Sequence, residues 1–284
     1  MKRGMIRKLV VASVLACAAS ASQAAVVDVW SYEIDMAWVL TGSDKPVFAP
    51  STHLWSETKA TSTLLSWGSK YGVDDYKLGT GANSSYARSS LYITNPQGAG
   101  SIFTDSSVSM VNMFRHTNNA INASFADLLQ ATMNVSVALS ANGSTVQTFN
   151  DNFKIYFYET PNEGKSGSQC SWGGNCDDDL FAFVVLPEIY KEFTYDGMTY
   201  QFNYFQTSGP DAIQQFDAAT CNDISRGILT TTCYGFRTSE YDQTTLKFGF
   251  SISAVPEPET YAMLLAGLGM LGVVVRRRRH TIHN

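Results

Sequence analysis

Period-two alternation of apolar and polar residues is the feature that most constrains this chain. In Met133-Asn134-Val135-Ser136-Val137-Ala138-Leu139 and Leu246-Lys247-Phe248-Gly249-Phe250-Ser251-Ile252, one face is apolar throughout. Successive side chains of a strand point to opposite faces, so such segments fold as strands that pack one face against a second sheet. The alternation recurs over Val26 to Ile34, Ser89 to Thr94, Ser107 to Phe114, Phe153 to Glu159, Leu180 to Leu186 and Met198 to Gln206. Eight or more such stretches, with scarce helical periodicity and no internal repeat, predict an all-β fold: a jelly-roll-like β-sandwich of short strands. Asp196-Gly197, between Phe193-Thr194-Tyr195 and Met198-Thr199-Tyr200, predicts a two-residue hairpin. Short helices are predicted over Pro210 to Ala219, with Pro210 in the first turn, and near Phe125 to Ala131. Asn162 to Asn175, rich in Gly, Ser and Asn, reads as the longest loop.

The ends do not belong to this pattern. Met1 to Lys8 is basic, Leu9 to Ala21 is small and apolar, and Ser22-Gln23-Ala24 places small residues where a signal peptidase reads. Cleavage is therefore predicted between Ala24 and Ala25. The apolar run is too short for a retained membrane span. At the other end, Val255-Pro256-Glu257-Pro258-Glu259 precedes an uncharged, largely apolar stretch, Thr260 to Val275, and then Arg276, Arg277, Arg278 and Arg279. The prolines deny the linker regular pairing and keep it extended. Sixteen helical residues reach about 24 Å at roughly 1.5 Å each, short of the ~30 Å hydrocarbon core but able to fit with snorkelling and local thinning. The positive-inside rule keeps the arginines in the cytoplasm and puts the preceding domain outside. The expected division is 1–24 signal peptide, 25–255 β-sandwich and 256–284 sorting tail.

Pro256-Glu257-Pro258, the apolar helix and the arginine cluster resemble the PEP-CTERM sorting signal of Gram-negative bacteria. The resemblance implies that Pro256, Glu257 and Pro258 are read by an exosortase, a membrane cysteine transpeptidase, with Arg276 to Arg279 as the topological stop. It implies export across the inner membrane, transient anchoring there through the C-terminal helix, and a destination at the cell surface or in the extracellular matrix. Its implied partners are signal peptidase, the exosortase and the exopolysaccharide of a biofilm layer.

Composition narrows the rest. Between 25 and 255, 12 basic residues face 23 acidic ones. An acidic domain repels phosphate backbones, which excludes nucleic acid as a partner. Cys17 leaves with the signal, and Cys170, Cys176, Cys221 and Cys233 remain in an oxidising destination, where two disulfides are expected. Three connectivities are open. The local one, Cys170 with Cys176 and Cys221 with Cys233, is the expectation because each pair brackets a turn-rich segment. No CxxC pair or nearby histidine gives the spacing of a zinc site.

His280 and His283 lie in the tail, leaving His53 and His116. No Gly-x-Ser-x-Gly elbow accompanies them and no carboxylate pair stands out, so no catalytic residue is assigned and the chain is not expected to be an enzyme. No cofactor is assigned either, calcium being the one ion considered. Asp177-Asp178-Asp179 offers hard oxygen ligands of the kind calcium takes, with Asp177 and Asp179 as candidates; a solvated acidic turn is the competing reading, since EF-hand spacing is missing. Trp55, Trp67 and Trp172 lie in loop-like sequence, as sugar-stacking residues do, and core packing competes with that role.

Asn112-Met113-Phe114-Arg115-His116-Thr117-Asn118-Asn119-Ala120-Ile121 is similar to the Thr-His-x-Asn signature of the THxN family of PEP-CTERM proteins, matched at His116 and Asn118 with Arg115 in place of the threonine. The same family pattern is echoed by Asp178-Asp179-Leu180-Phe181, Tyr195-Asp196-Gly197 and Tyr234-Gly235-Phe236-Arg237-Thr238-Ser239-Glu240. This resemblance implies no activity. His116, Asn118 and Asn119, at a strand end, are candidates for hydrogen-bonding a turn or contacting a ligand. The sequence reading is a structural or adhesive component of an exopolysaccharide layer, with a secreted carbohydrate- or calcium-binding module as the alternative.

Overall fold

Alternating sequence becomes two antiparallel sheets in the computed structural model, which describes residues 26–72, 87–160, 176–184, 190–208, 212–255 and 265–272. The signal segment with Ala24 and Ala25, Pro256, Glu257, Pro258, Arg276 to Arg279, Cys170, Trp172 and the predicted 162–175 loop lie outside the described residues. The chain divides into a large unit, Asp28–Phe193 with Gln201–Ser253, and a small one, Met1–Val27 with Thr194–Tyr200 and Ala254–Asn284.

The strands are β1 (Val29–Trp38), β2 (Val47–Phe48), β3 (Ser56–Ala60), β4 (Leu64–Ser69), β5 (Arg88–Ile93), β6 (Gln97–Phe103), β7 (Ser106–Thr117) and β8 (Leu128–Ala141). They continue with β9 (Ser144–Tyr158), β10 (Asp179–Phe183), β11 (Tyr190–Tyr195), β12 (Met198–Gln206), β13 (Gln214–Phe216), β14 (Cys233–Thr238) and β15 (Gln243–Val255). The first sheet runs β13-β14-β10-β9-β8-β1-β6, with β2 on β8, and the second runs β11-β12-β15-β7-β5-β4-β3. The expected all-β sandwich is thus the fold, although β7, β8 and β9, at 12, 14 and 15 residues, are long. Asn142 and Gly143, at φ 52° and 77°, make the tight turn that fixes the β8–β9 register at Ala141 opposite Ser144.

Both predicted helices need correction. Gln214–Phe216 pairs with β14 as a strand, and the helix α1 (Ala218–Ser225) begins only after Asp217. The Asp217 carboxylate accepts the Thr220 N–H at 2.7 Å, an N-cap that sets the start. Near Phe125 to Ala131, β8 already begins at Leu128, because Leu128, Ala131 and Met133 are all buried and pairing with β1 and β9 outweighs local helical preference.

Aromatic side chains join the sheets. Phe114 on β7 packs edge-on to Trp38 of β1 and Phe183 of β10, and tilts over Phe236 of β14. Within the first sheet, Phe181 of β10 stacks on its cross-strand partner Phe236 of β14 at 4.4 Å between centroids. Burying such rings supplies most of the driving force for association of the sheets. A small apolar cavity remains between them, lined by Ile34, Met133, Val137, Phe153 and Phe250 among others. Gly235 sits where a Cβ would come 1.8 Å from the Phe181 carbonyl oxygen, so β14 takes no side chain there.

Helix α1 packs Cys221 and Ile224 into a cluster with Tyr156, Leu180, Ala182 and Phe216. The predicted Cys221–Cys233 disulfide is present and ties α1 to β14. Cys176 is also disulfide-bonded. In the small unit, Asp196 and Gly197 adopt φ 50° and 77°, and the Val27 N–H donates to the Tyr200 hydroxyl at 2.8 Å. Within the predicted C-terminal helix, residues 265–272 are helical (α2) and expose Leu265, Leu268, Met270 and Leu271. Among the described residues, no helix is long and apolar enough to cross a membrane.

Candidate functional site: a buried carboxylate cluster

Polar residues collect at one end of the large unit. Glu159 follows β9, Asp179 opens β10 and Glu240 follows β14. Pairing sets Leu180 opposite Tyr158 and Asp179 opposite Thr238, which brings these three strand ends together. One carboxylate oxygen from each acid lies within 4.8 Å of the others. Asp179 is fully buried. Glu159 and Glu240 keep half-buried stems, yet Oε1 of Glu159 and both carboxylate oxygens of Glu240 are shut away from solvent. The Trp67 indole N–H donates to Glu159 Oε2 at 3.2 Å, and the Thr160 N–H donates to Asp179 Oδ1 at 3.3 Å.

The second sheet closes the cluster. His116, on β7, is fully buried, with Nε2 3.8 Å from Asp179 Oδ2. Its ring stacks on Trp67, with an interplanar angle of 9°, and meets Phe181 edge-on at 4.6 Å. Neither ring nitrogen has a hydrogen-bond partner among the described residues. Asn118, one residue past β7, donates from Nδ2 to the Thr238 carbonyl at 3.0 Å and so clamps the second sheet to β14. That bond fixes the orientation of the amide and leaves Oδ1 buried without a hydrogen-bond partner. Asn119 does different work: its Nδ2 donates to the Arg88 carbonyl at 2.8 Å and its backbone N–H to Ser89 Oγ at 3.1 Å.

Burial dominates the electrostatics. Desolvation holds the His116 imidazole neutral, with its pKa pushed down to about 3. Glu159 is raised well above the usual carboxylate range by burial and then by Glu240 and Asp127, against the Trp67 hydrogen bond. Asp179 is raised well above it by burial and then by Glu159 and Glu240, against the Thr160 N–H. Glu240 is raised to about 7 by burial, then by Asp177 and Asp178, with the Asn118 side chain opposing. The charged side chains acting on the three acids are themselves acids.

The structure therefore brings His116, Asn118 and Asp179 together, sets Asp177 nearby as a half-buried residue, and leaves Asn119 holding a neighbouring turn. Glu159 and Glu240 are the members that the sequence reading did not single out. Each closes a stretch quoted for another reason, Glu159 an alternating strand and Glu240 the Tyr234-to-Glu240 segment. Of the proposed sugar-stacking residues, Trp67 is fully buried and belongs to the core, which corrects that expectation. Trp55 is 40% exposed and lies edge-on both to the exposed Tyr71 at 5.8 Å and to His53 at 5.9 Å.

Residues 254–279 match the family model of the PEP-CTERM protein-sorting motif. The chain carries a PEP-CTERM sorting signal. That signal directs export and membrane-associated sorting, and it makes the exosortase a partner. No curated protein matches the chain. Of the PEP-CTERM match, residues 254–255 end β15 and residues 265–272 form α2.

Proposed function

We propose that this PEP-CTERM protein is a non-enzymatic structural or adhesive component of an exopolysaccharide-associated layer at the cell surface or in the extracellular matrix. Signal peptidase removes residues 1–24, the 25–255 domain is exported, and the exosortase acts at Pro256-Glu257-Pro258 while the arginines hold the tail in the inner membrane. The observation that carries the reading is the sorting motif at residues 254–279. A domain with 23 acidic and 12 basic residues, rigidified by disulfides, suits an oxidising, cation-rich exterior. The inward-facing acids support a structural rather than catalytic role, since their oxygens are withdrawn from any substrate in solution. Membership of the THxN group is part of the proposal, supported by the meeting of His116, Asn118, Asp179 and Glu240 at one place.

A carbohydrate-binding module is the second reading, favoured by the exposed Trp55 and Tyr71 pair with Lys70 Nζ 5.1 Å from the Tyr71 ring centroid. Peptide mass spectrometry on protein recovered from the native outer surface and medium tests the first reading. The expected result is an N-terminus at Ala25 and a C-terminus between Val255 and Glu259. A surface protein that retains its sequence through Asn284 overturns processing and, with it, the matrix role.

A further inference from the structure

The geometry points to a metal site: Glu159, Asp179 and Glu240 hold a divalent cation between the sheet ends, with the His116 imidazole as the neighbouring nitrogen donor. Three acids alone would not carry this, because buried carboxylates can also persist as neutral, hydrogen-bonded acids. A further observation points to a ligand. His116 is fully buried with both ring nitrogens lacking a hydrogen-bond partner among the described residues, and its Nε2 faces Asp179 Oδ2 at 3.8 Å. That separation is too long for a hydrogen bond. It is close to the spacing of neighbouring donors on one cation at metal–ligand distances of about 2.0–2.6 Å.

The surroundings fit. Oxygens within 4.8 Å of one another span a range that a shared ion bridges. The half-buried stems of Glu159 and Glu240 put the cluster near the surface and give an ion a short way in. Trp67 holds Glu159 and the Thr160 N–H holds Asp179, so the donors are already oriented. Carboxylates suit Ca²⁺ and Mn²⁺, while an imidazole beside them shifts preference toward Mn²⁺ and Zn²⁺. The inference stands apart from the matrix reading, and neither depends on the other.

To test it, the full chain is purified in mild detergent, stripped with EDTA and dialysed in turn against Mn²⁺, Zn²⁺ and Ca²⁺, with metal content and melting temperature as readouts. The expected result is one equivalent retained of at least one ion, with a raised melting temperature. Glu240→Gln should weaken retention by at least about tenfold, and the exposed Glu33→Gln should leave it unchanged. With Mn²⁺ bound, electron paramagnetic resonance should show nitrogen coupling that His116→Gln abolishes. If none of the three ions is retained by the wild-type chain, the proposal fails outright, whatever the variants do. Retention that a folded Glu240→Gln and a folded Asp179→Asn both leave intact overturns it equally. Mn²⁺ retained without nitrogen coupling removes His116 from the assignment.

Discussion

The two ends of the sandwich interior obey opposite rules. Around Ile34, Val137 and Phe250 the space between the sheets is lined by hydrocarbon, and a small cavity there costs only lost packing. His116 on β7, Asp179 on β10, Glu159 just past β9 and Glu240 just past β14 form instead a cluster of ionisable groups removed from water. Strand β9 shows the change within a few residues, from Phe153 and Phe157 in the core to Glu159 just past its end. An apolar interior stabilises through every atom it buries, whereas a charged one stabilises only when its charges are met. Stability at the two ends should therefore respond to substitution, solution ions and pH with different signs.

The largest effect belongs to the apolar part. Phe236→Ala, which removes a fully buried ring stacked on Phe181, should cost about 3–5 kcal/mol in chemical denaturation, with or without divalent ions. A loss below about 1 kcal/mol would mean that Phe236 and its contact with Phe114 across the sheets do not hold the sandwich together.

Asp179→Asn is the sharper probe, because its sign depends on the ions present. In EDTA at pH 8 it removes a buried acid surrounded by other acids, and the melting temperature should rise by roughly 2–4 °C, about 1 kcal/mol for a domain of this size. In the presence of the retained ion it should fall relative to the wild type. A loss under both conditions would make Asp179 an ordinary packed residue and erase the contrast between the ends.

The most graded effect is that of pH on the metal-free chain. Glu240 has a folded pKa of about 7 against an unfolded 4.5, so its contribution is fully present below 4.5 and is lost as pH rises through about 7. Glu159 and Asp179, also raised, act in the same direction. His116 is depressed, from 6.5 to about 3, so its contribution is present above 6.5 and is lost as pH falls toward 3. Together the four groups place the highest melting temperature near pH 4.5, with a decline as the pH rises from there. A thermal scan in EDTA that climbs steadily from pH 5 to 8 would show that other groups govern the pH response.

Much of the fold was legible because alternation is a local property. Met133 to Leu139 and Leu246 to Ser253 announce β8 and β15 without any knowledge of their partners. Strands such as β4, Leu64–Ser69, were not, since Ser66, Trp67, Gly68 and Ser69 are buried together and leave no alternating trace. The helix placed at Pro210 failed because the stop and start signal lies at Asp217, a cap whose meaning depends on Phe216 already being committed to the sheet. The buried cluster was half legible. His116, Asn118 and Asp179 stood out by their motifs, while Glu159 and Glu240 reach them only through the pairing of β9 with β10 and β10 with β14, 81 residues apart in sequence from first acid to last.

The position of β15 has a mechanical consequence. This strand runs directly into the sorting segment, and it lies inside its sheet, between β12 and β7. Any tension applied to the sorting segment is transmitted along β15. Pulled along its axis, an edge strand would load one ladder of hydrogen bonds. A strand flanked on both sides loads two, with the register against β7 from Gln243 opposite Thr117 to Ile252 opposite Ser106 carrying part of the tension. Tension entering through the sorting segment is thus shared between two ladders.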